Sequence, residues 1–252
     1  MDRVVLNTLF RITAMQMSPV EIPEVIPQLT YEQFLDFHRT YYHPSNSYIY
    51  LYGDMDMEEK LRWLDEEYLC HYDKKDVNSE IHLQKPFDEV QEKTFEYSIA
   101  SDESTEENTF LSYNKVIGTT LDRELYQAFE ILDYALLSAP GAPLKKALTD
   151  AGIGKDIMGS YDNGVYQPIF SVVAKNAEES QKDEFVKVIE DVLRDQVKNG
   201  INRKRFWQES TTTNSDTEKL IFGNYPKGLM YGLQVMDSWL YDETSRLSIL
   251  RR

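Results

Sequence analysis

The stretch FHRTYYHPSNSYIYLYGDMD, Phe37 to Asp56, decides the fold class, because its periodicity changes in the middle. Phe34, Phe37, His38 and Tyr41 recur at helical spacing, and Thr30 stands where an N-cap accepts from the first free amides. A proline disfavours α geometry in the residue before it, so the helix is expected to stop ahead of Pro44 and Pro44-Ser45-Asn46 to turn the chain. Ser47-Tyr48-Ile49-Tyr50-Leu51-Tyr52 is then rich in aromatic and β-branched side chains and ends at Gly53-Asp54, which reads as a strand.

Downstream the alternation continues. Leu61, Trp63, Leu64 and Tyr68 mark the apolar side of a helix from about Met57 to Tyr72, and Asp73 to Asp88 reads as a polar connection. Val90 to Ala100 and Thr109 to Val116 read as two strands, with the acidic run Asp102 to Glu107 as an exposed hairpin tip. Leu121, Leu125, Phe129, Leu132 and Leu136 give an amphipathic helix that ends at the turn Ser138 to Pro143. A short helix, Leu144 to Ala151, stops at Gly152. Ile157 to Tyr161 and Gln167 to Ala174 flank Asp162-Asn163-Gly164, a hairpin signal because Asn-Gly tolerates positive φ. Phe185, Val188, Ile189, Val192 and Leu193 give another helix, closed by Asn199-Gly200. The expected class is α+β, one layered sheet with helices packed on one face.

The chain has 43 acidic against 27 basic residues, a formal net charge of −16, which argues against nucleic acid as a partner because phosphate binding needs clustered cations. No run of about eighteen apolar residues is present to span a bilayer. The start, MDRVVLNTLF, lacks the basic segment and cleavage site of a signal peptide, so a cytoplasmic location and no membrane partner are expected. The one cysteine, Cys70, cannot make an internal disulfide or a thiolate metal cage, and reads as a half-buried helix residue.

Candidate chemistry is sparse. The four histidines are His38, His43, His71 and His82. His38 and His43 lie five apart without an intervening Glu, whereas HxxEH and HExxH pairs need spacings of three or four. Glu58-Glu59 and Asp65-Glu66-Glu67 read as a solvated helix face, since adjacent carboxylates on a helix diverge. Gly152-Ile153-Gly154 lacks a following Gly-Lys-Ser/Thr and reads as a helix end with a turn. With no GxSxG elbow either, the residues nominate no catalytic, cofactor-binding or metal-binding position.

Three blocks carry a resemblance: IPQLTYEQFLDFHRTYYHPSNSYIYLYGDMD from Ile26, LLSAPGAPLKKALTDAGIG from Leu136 and YPKGLMYGLQVMDSWLYD from Tyr225. They resemble the second domain of the insulinase-like (pitrilysin-type) zinc metallopeptidases, in the presequence protease branch. The resemblance implies the α+β fold of the LuxS/insulinase-like metalloenzymes and a large zinc-dependent endopeptidase whose halves close on unfolded peptides. It also implies that the HxxEH zinc site belongs to a preceding domain, so that no cofactor is held in this chain and zinc is expected in the parent enzyme. Whether this chain is itself an enzyme is left open. The partners implied are a peptide substrate in the parent's chamber and the missing catalytic domain or half. The chain then divides into 1–28, a remnant of the catalytic domain and linker; 29–204, the non-catalytic α+β domain; and 205–252, its helical C-terminal part. Two functional readings follow: a non-catalytic fragment, inactive alone, or a peptide-binding module or subunit that complements a separate HxxEH-bearing chain.

Departures from the family pattern sit at Arg11 to Ile22, Arg205 to Ile221 and Ser245 to Arg252. Each looks like a frame-shifted reading of family-like sequence. The codons GCG TTT CTG GCA GGA ATC AAC, read one base later, give Arg205-Phe206-Trp207-Gln208-Glu209-Ser210. The hypothesis is a damaged or mis-sequenced gene, with Met1 an internal methionine of the parent. A clean open reading frame on resequencing would sink it. Thr211-Thr212-Thr213-Asn214-Ser215-Asp216 has low helix propensity, so Arg205 to Ile221 is expected to pack poorly, an expectation that strong amide-exchange protection there would overturn.

Overall fold

Thr30 starts a helix as its residue type requires. Its hydroxyl accepts from the Gln33 amide at 3.2 Å while the Gln33 side chain accepts from the Thr30 amide at 2.9 Å, a complete capping box. The computed structural model that shows this describes residues 2–10, 26–201 and 225–241. The chain divides into two units, Met1–Gln91 and Glu92–Arg252.

The first unit holds α1 (Asp2–Leu9), α2 (Tyr31–Tyr41) and α3 (Met57–Glu67). His43 and Pro44 stop α2 as the sequence implies: His43 Nδ1 accepts from the Ser45 amide at 3.1 Å and a 3-10 turn, Pro44–Asn46, follows. Asp56 caps α3 by accepting from the Glu59 amide at 3.0 Å, and Glu58 and Glu59 suit the positive end of its dipole. The helix ends at Glu67, and a 3-10 turn, Leu69–His71, supplies the rest of the expected length. Neither α2 nor α3 contains a buried residue. Helices of eleven residues are marginal in water by themselves, so caps and local ring contacts carry much of their order. Those contacts include Phe37 on Tyr41 at 4.9 Å and His38 stacked on Tyr42 at 4.7 Å between centroids.

The second unit is built around a three-stranded antiparallel sheet of β1 (Thr109–Val116), β2 (Asp156–Asp162) and β3 (Ile169–Ala177), in the order β1-β3-β2. Tyr113, Val172 and Gly159 lie side by side in the register, as do Leu111, Ala174 and Ile157, so the strands present one shared inner face. Against it pack α4 (Arg123–Asp133), a π-helical turn (Tyr134–Ser138), α5 (Pro143–Asp150) and α6 (Lys182–Asn199). Leu136, Leu137, Leu144, Leu148, Phe185 and Ile189 join Leu111, Ile157, Phe170 and Val172 in one apolar core. The arrangement is α+β, with helices on the inner face of the sheet. A further helix, α7 (Lys227–Trp239), is followed by Tyr241, whose ring stacks on Tyr166 at 4.3 Å.

At one end of the sheet the pairing slips. Leu111 faces Ala174 but Thr109 faces Ala177, so β3 carries one extra residue. Asn176, at φ 53°, absorbs it, as Asn tolerates the left-handed region. Its side chain donates to the Glu107 carbonyl at 3.1 Å, and the Glu107 amide donates to Glu178 Oε1 at 2.6 Å.

Four expectations need correction. Residues 47–52 and 90–100 form no sheet ladder among the described residues, although their side chains favour one; strand propensity measures fit to a pleated, half-buried surface and does not supply the partner strand. Tyr97 meets the start of β1 only by side chain, donating to Asn108 Oδ1 at 2.7 Å and packing on Phe110 at 5.6 Å. The β2–β3 hairpin exists, but its connection runs over 163–168 and neither Asn163 nor Gly164 takes a positive φ. It stays wide because the Ile117 and Thr120 amides use the Pro168 and Tyr166 carbonyls, at 2.8 and 2.9 Å. Cys70 is exposed rather than half-buried, standing on the 3-10 turn after α3. The expected boundary at 204/205 and the three blocks read as frame-shifted lie outside the described residues.

Candidate functional site

The histidines do not converge. His38 lies flat on Tyr42, and His43 has its Nδ1 engaged by the Ser45 amide and its ring edge-on to Tyr72 at 5.4 Å. His71 sits exposed in the turn after α3, and His82 Nδ1 stands 3.8 Å from Glu80 Oε1 on an exposed segment. Among the described residues no group of three His, Cys, Asp or Glu side chains is placed to hold a metal ion. This donor set does not fit the zinc site of the HxxEH peptidases, and no chemical step is assigned to a metal in this chain.

The acidic residues of α3 behave as a solvated face: Glu58 pairs with Arg62 at 2.8 Å, and Lys60 beside Glu59 holds that carboxyl below its usual range, mainly by hydrogen bonding. Gly152 follows α5 at φ +69°, and its carbonyl accepts from Gln181 Nε2 at 3.0 Å, so the Gly-Ile-Gly segment is a helix end and turn. Ile153 between the glycines is wholly buried.

Buried polar groups collect instead between α4 and β2, where the sequence reading named none. Asp133 is the last residue of α4, and its Oδ1 is buried without a hydrogen-bond partner. Burial raises its pKa above the ordinary carboxylate value. Across from it is Gly159: a Cβ there would collide with Leu137 Cδ1 and lie 3.0 Å from Asp133 Oδ1, so only glycine lets helix and strand approach this closely. Two residues on, the Tyr161 hydroxyl is also buried without a partner. Desolvation, aided by Glu130 and Asp122, pushes its pKa up to about 12. Its ring packs on Phe129 at 5.7 Å. A buried acid and a phenol that stays neutral form a joint between helix and strand, not a nucleophile with its base. The signal in the sequence was faint: an acid placed among Phe129, Leu132 and Leu136, opposite a strand glycine.

A second feature is the apolar surface of the first unit. Tyr31, Phe34, Phe37 and Tyr42 in and beside α2, and Leu61 and Trp63 in α3, are exposed. Soluble surfaces rarely leave so many large apolar side chains uncovered unless they meet a partner.

Residues 28–209 match the Peptidase M16 inactive domain. The chain is 45% identical over 240 residues to Protein HypA of Clostridium perfringens, covering 95% of this chain and 25% of that protein. It is 31% identical over 248 residues to presequence protease 1, chloroplastic/mitochondrial, of Arabidopsis thaliana, covering 94% of this chain and 23% of that protein. It is 28% identical over 179 residues to the mitochondrial presequence protease of Danio rerio, covering 68% and 17%. The chain thus spans about a quarter, or less, of the length of the curated relatives it matches. Among the described residues no helix is long and apolar enough to cross a membrane. A match that runs from α2 through α6 spans both structural units, and on it the chain belongs to the Peptidase M16 inactive domain family.

Proposed function

We propose that the chain serves as the non-catalytic portion of a zinc-dependent, insulinase-like endopeptidase that degrades unfolded peptides, and that it is inactive by itself. The match of residues 28–209 to the inactive domain carries this reading. The scattered histidines support it, because among the described residues no three His, Cys, Asp or Glu side chains stand together as a water-activating metal site would need. The zinc and the peptide chemistry then belong to an HxxEH-bearing domain, whether joined to this chain or separate from it. A cytoplasmic location is part of the reading, supported by the exposed free thiol of Cys70, which suits a reducing compartment.

A second reading, in which the chain is a peptide-binding module or a subunit that complements a separate HxxEH-bearing chain, draws on the exposed aromatics of α2, which would be its contact face. In either case nucleic acid is not the partner, given the net charge of −16.

The test is cleavage of an unstructured basic peptide by the purified 252-residue chain, with zinc or with a chelator. No cleavage is expected. Chelator-sensitive cleavage would overturn the reading, because it would require a metal site in this chain. Addition of a family member's HxxEH-bearing domain separates the two readings: restored activity with co-purification favours the subunit.

A further inference from the structure

We propose that Asp133 makes the seam between α4 and β2 an acid-strengthened joint, closed while its carboxyl is protonated and loosened when the carboxyl ionises. The inference stands apart from the proposed function.

Three observations place the device. Asp133 is the C-terminal residue of α4, where the negative end of the helix dipole opposes a carboxylate. The helix changes register just beyond it: the Tyr134 amide is shared between the Glu130 and Ile131 carbonyls, and the Ala139 amide reaches back to Tyr134 to close a π turn. Such turns are local insertions in a helix and are held by their packing. Finally, Asp133 Oδ1 is buried without a partner, facing the one position of β2 where a Cβ could not fit.

The charged groups with partners on the packed elements are engaged away from Asp133. On α4, Glu130 accepts from Asn163 at 3.0 Å. From β2 the titratable group on the inner face is the Tyr161 phenol, while Asp156 lies 3.9 Å from Lys145 of α5. Lys146 of α5 pairs with Asp150. The π turn carries no charge. Among the described residues no ion pair reaches Asp133, and burial alone accounts for its raised pKa.

The sign follows from linkage. Below the ordinary carboxylate pKa, near about 4, Asp133 is protonated folded and unfolded alike, and the joint carries no penalty. As pH rises the unfolded chain releases its proton first, so stability falls, and the loss is complete once pH passes the raised folded value. Each unit of difference is worth about tenfold in the local opening equilibrium.

The experiment is amide exchange on the full chain from about pH 4 to 7, corrected for intrinsic rates and read over 123–138 and 156–162. Protection of both segments is expected to fall as pH rises. In Asp133→Asn it is expected to stay high across the range, and Glu130→Gln is expected to keep the wild-type profile. Wild-type protection that is flat or rises with pH would overturn the proposal, and this arm needs no variant to fold. An unchanged profile in Asp133→Asn, or a flattened one in Glu130→Gln, would overturn it as well.

Discussion

Phe34 and Phe185 hold comparable places in the apolar patterns of α2 and α6, and the structure treats them in opposite ways. Phe185 is 1% exposed and Phe34 63%. Both helices are amphipathic; α6 packs Phe185 and Ile189 into the core of its sheet, whereas α2 buries no residue. Amphipathic pattern states which face wants cover, and burial follows only where a second surface is supplied.

The sharpest test is truncation of each ring. Phe185→Ala should lower the stability of the second unit by about 3–5 kcal/mol in a urea melt of the full chain. Phe34→Ala should change it by less than about 0.5 kcal/mol. Comparable losses would mean that α2 is covered in solution, and the contrast would fail.

Gly159→Ala comes next, at about 1–3 kcal/mol, because the added methyl must push Leu137 aside. A neutral result would show that the π turn yields readily.

Thr30→Ala tests the other region. Losing the capping hydroxyl should cost about 1 kcal/mol of helix stability, seen as faster amide exchange confined to 31–41 with the second unit unchanged. Faster exchange across the second unit too would turn the contrast into a coupling.

The smallest effect is expected from Tyr161→Phe. At neutral pH it should be close to silent, since the hydroxyl it removes has no partner. In the wild type the unfolded phenol ionises near 10 and the folded one only at about 12, so stability should fall as pH rises across that interval. The variant ring has no proton to release, and its melting temperature should lose that alkaline component; an identical decline in both proteins would show that Tyr161 is not the source.

Elements defined by near neighbours were legible in the chain. The cap at Thr30, the stop at Pro44, and Gly200 after α6 depend on contacts within a few residues, so residue type announces them. The strands were legible only in part. Residues 109–116 and 169–177 found each other, whereas 47–52, with equally favourable side chains, found no ladder among the described residues. Pairing partners lie far apart in sequence, and propensity does not name them. The Asn163-Gly164 turn failed for a related reason: amides of residues 117 and 120 hold the carbonyls of its connection, a contact that no local rule contains.

By itself, then, the sequence determined the cap at Thr30, the stops before Pro44 and at Gly200, the α+β class, the lack of an HxxEH or HExxH pairing among its histidines, and the family resemblance carried by its three blocks. Each is a matter of short-range spacing or residue type. The tertiary structure alone decided that Phe185 is buried while Phe34 is not, and that Asp133 Oδ1 is buried beside Gly159 without a hydrogen-bond partner. Burial and desolvation are properties of surfaces brought together from distant parts of the chain, and they exist only once the chain has folded.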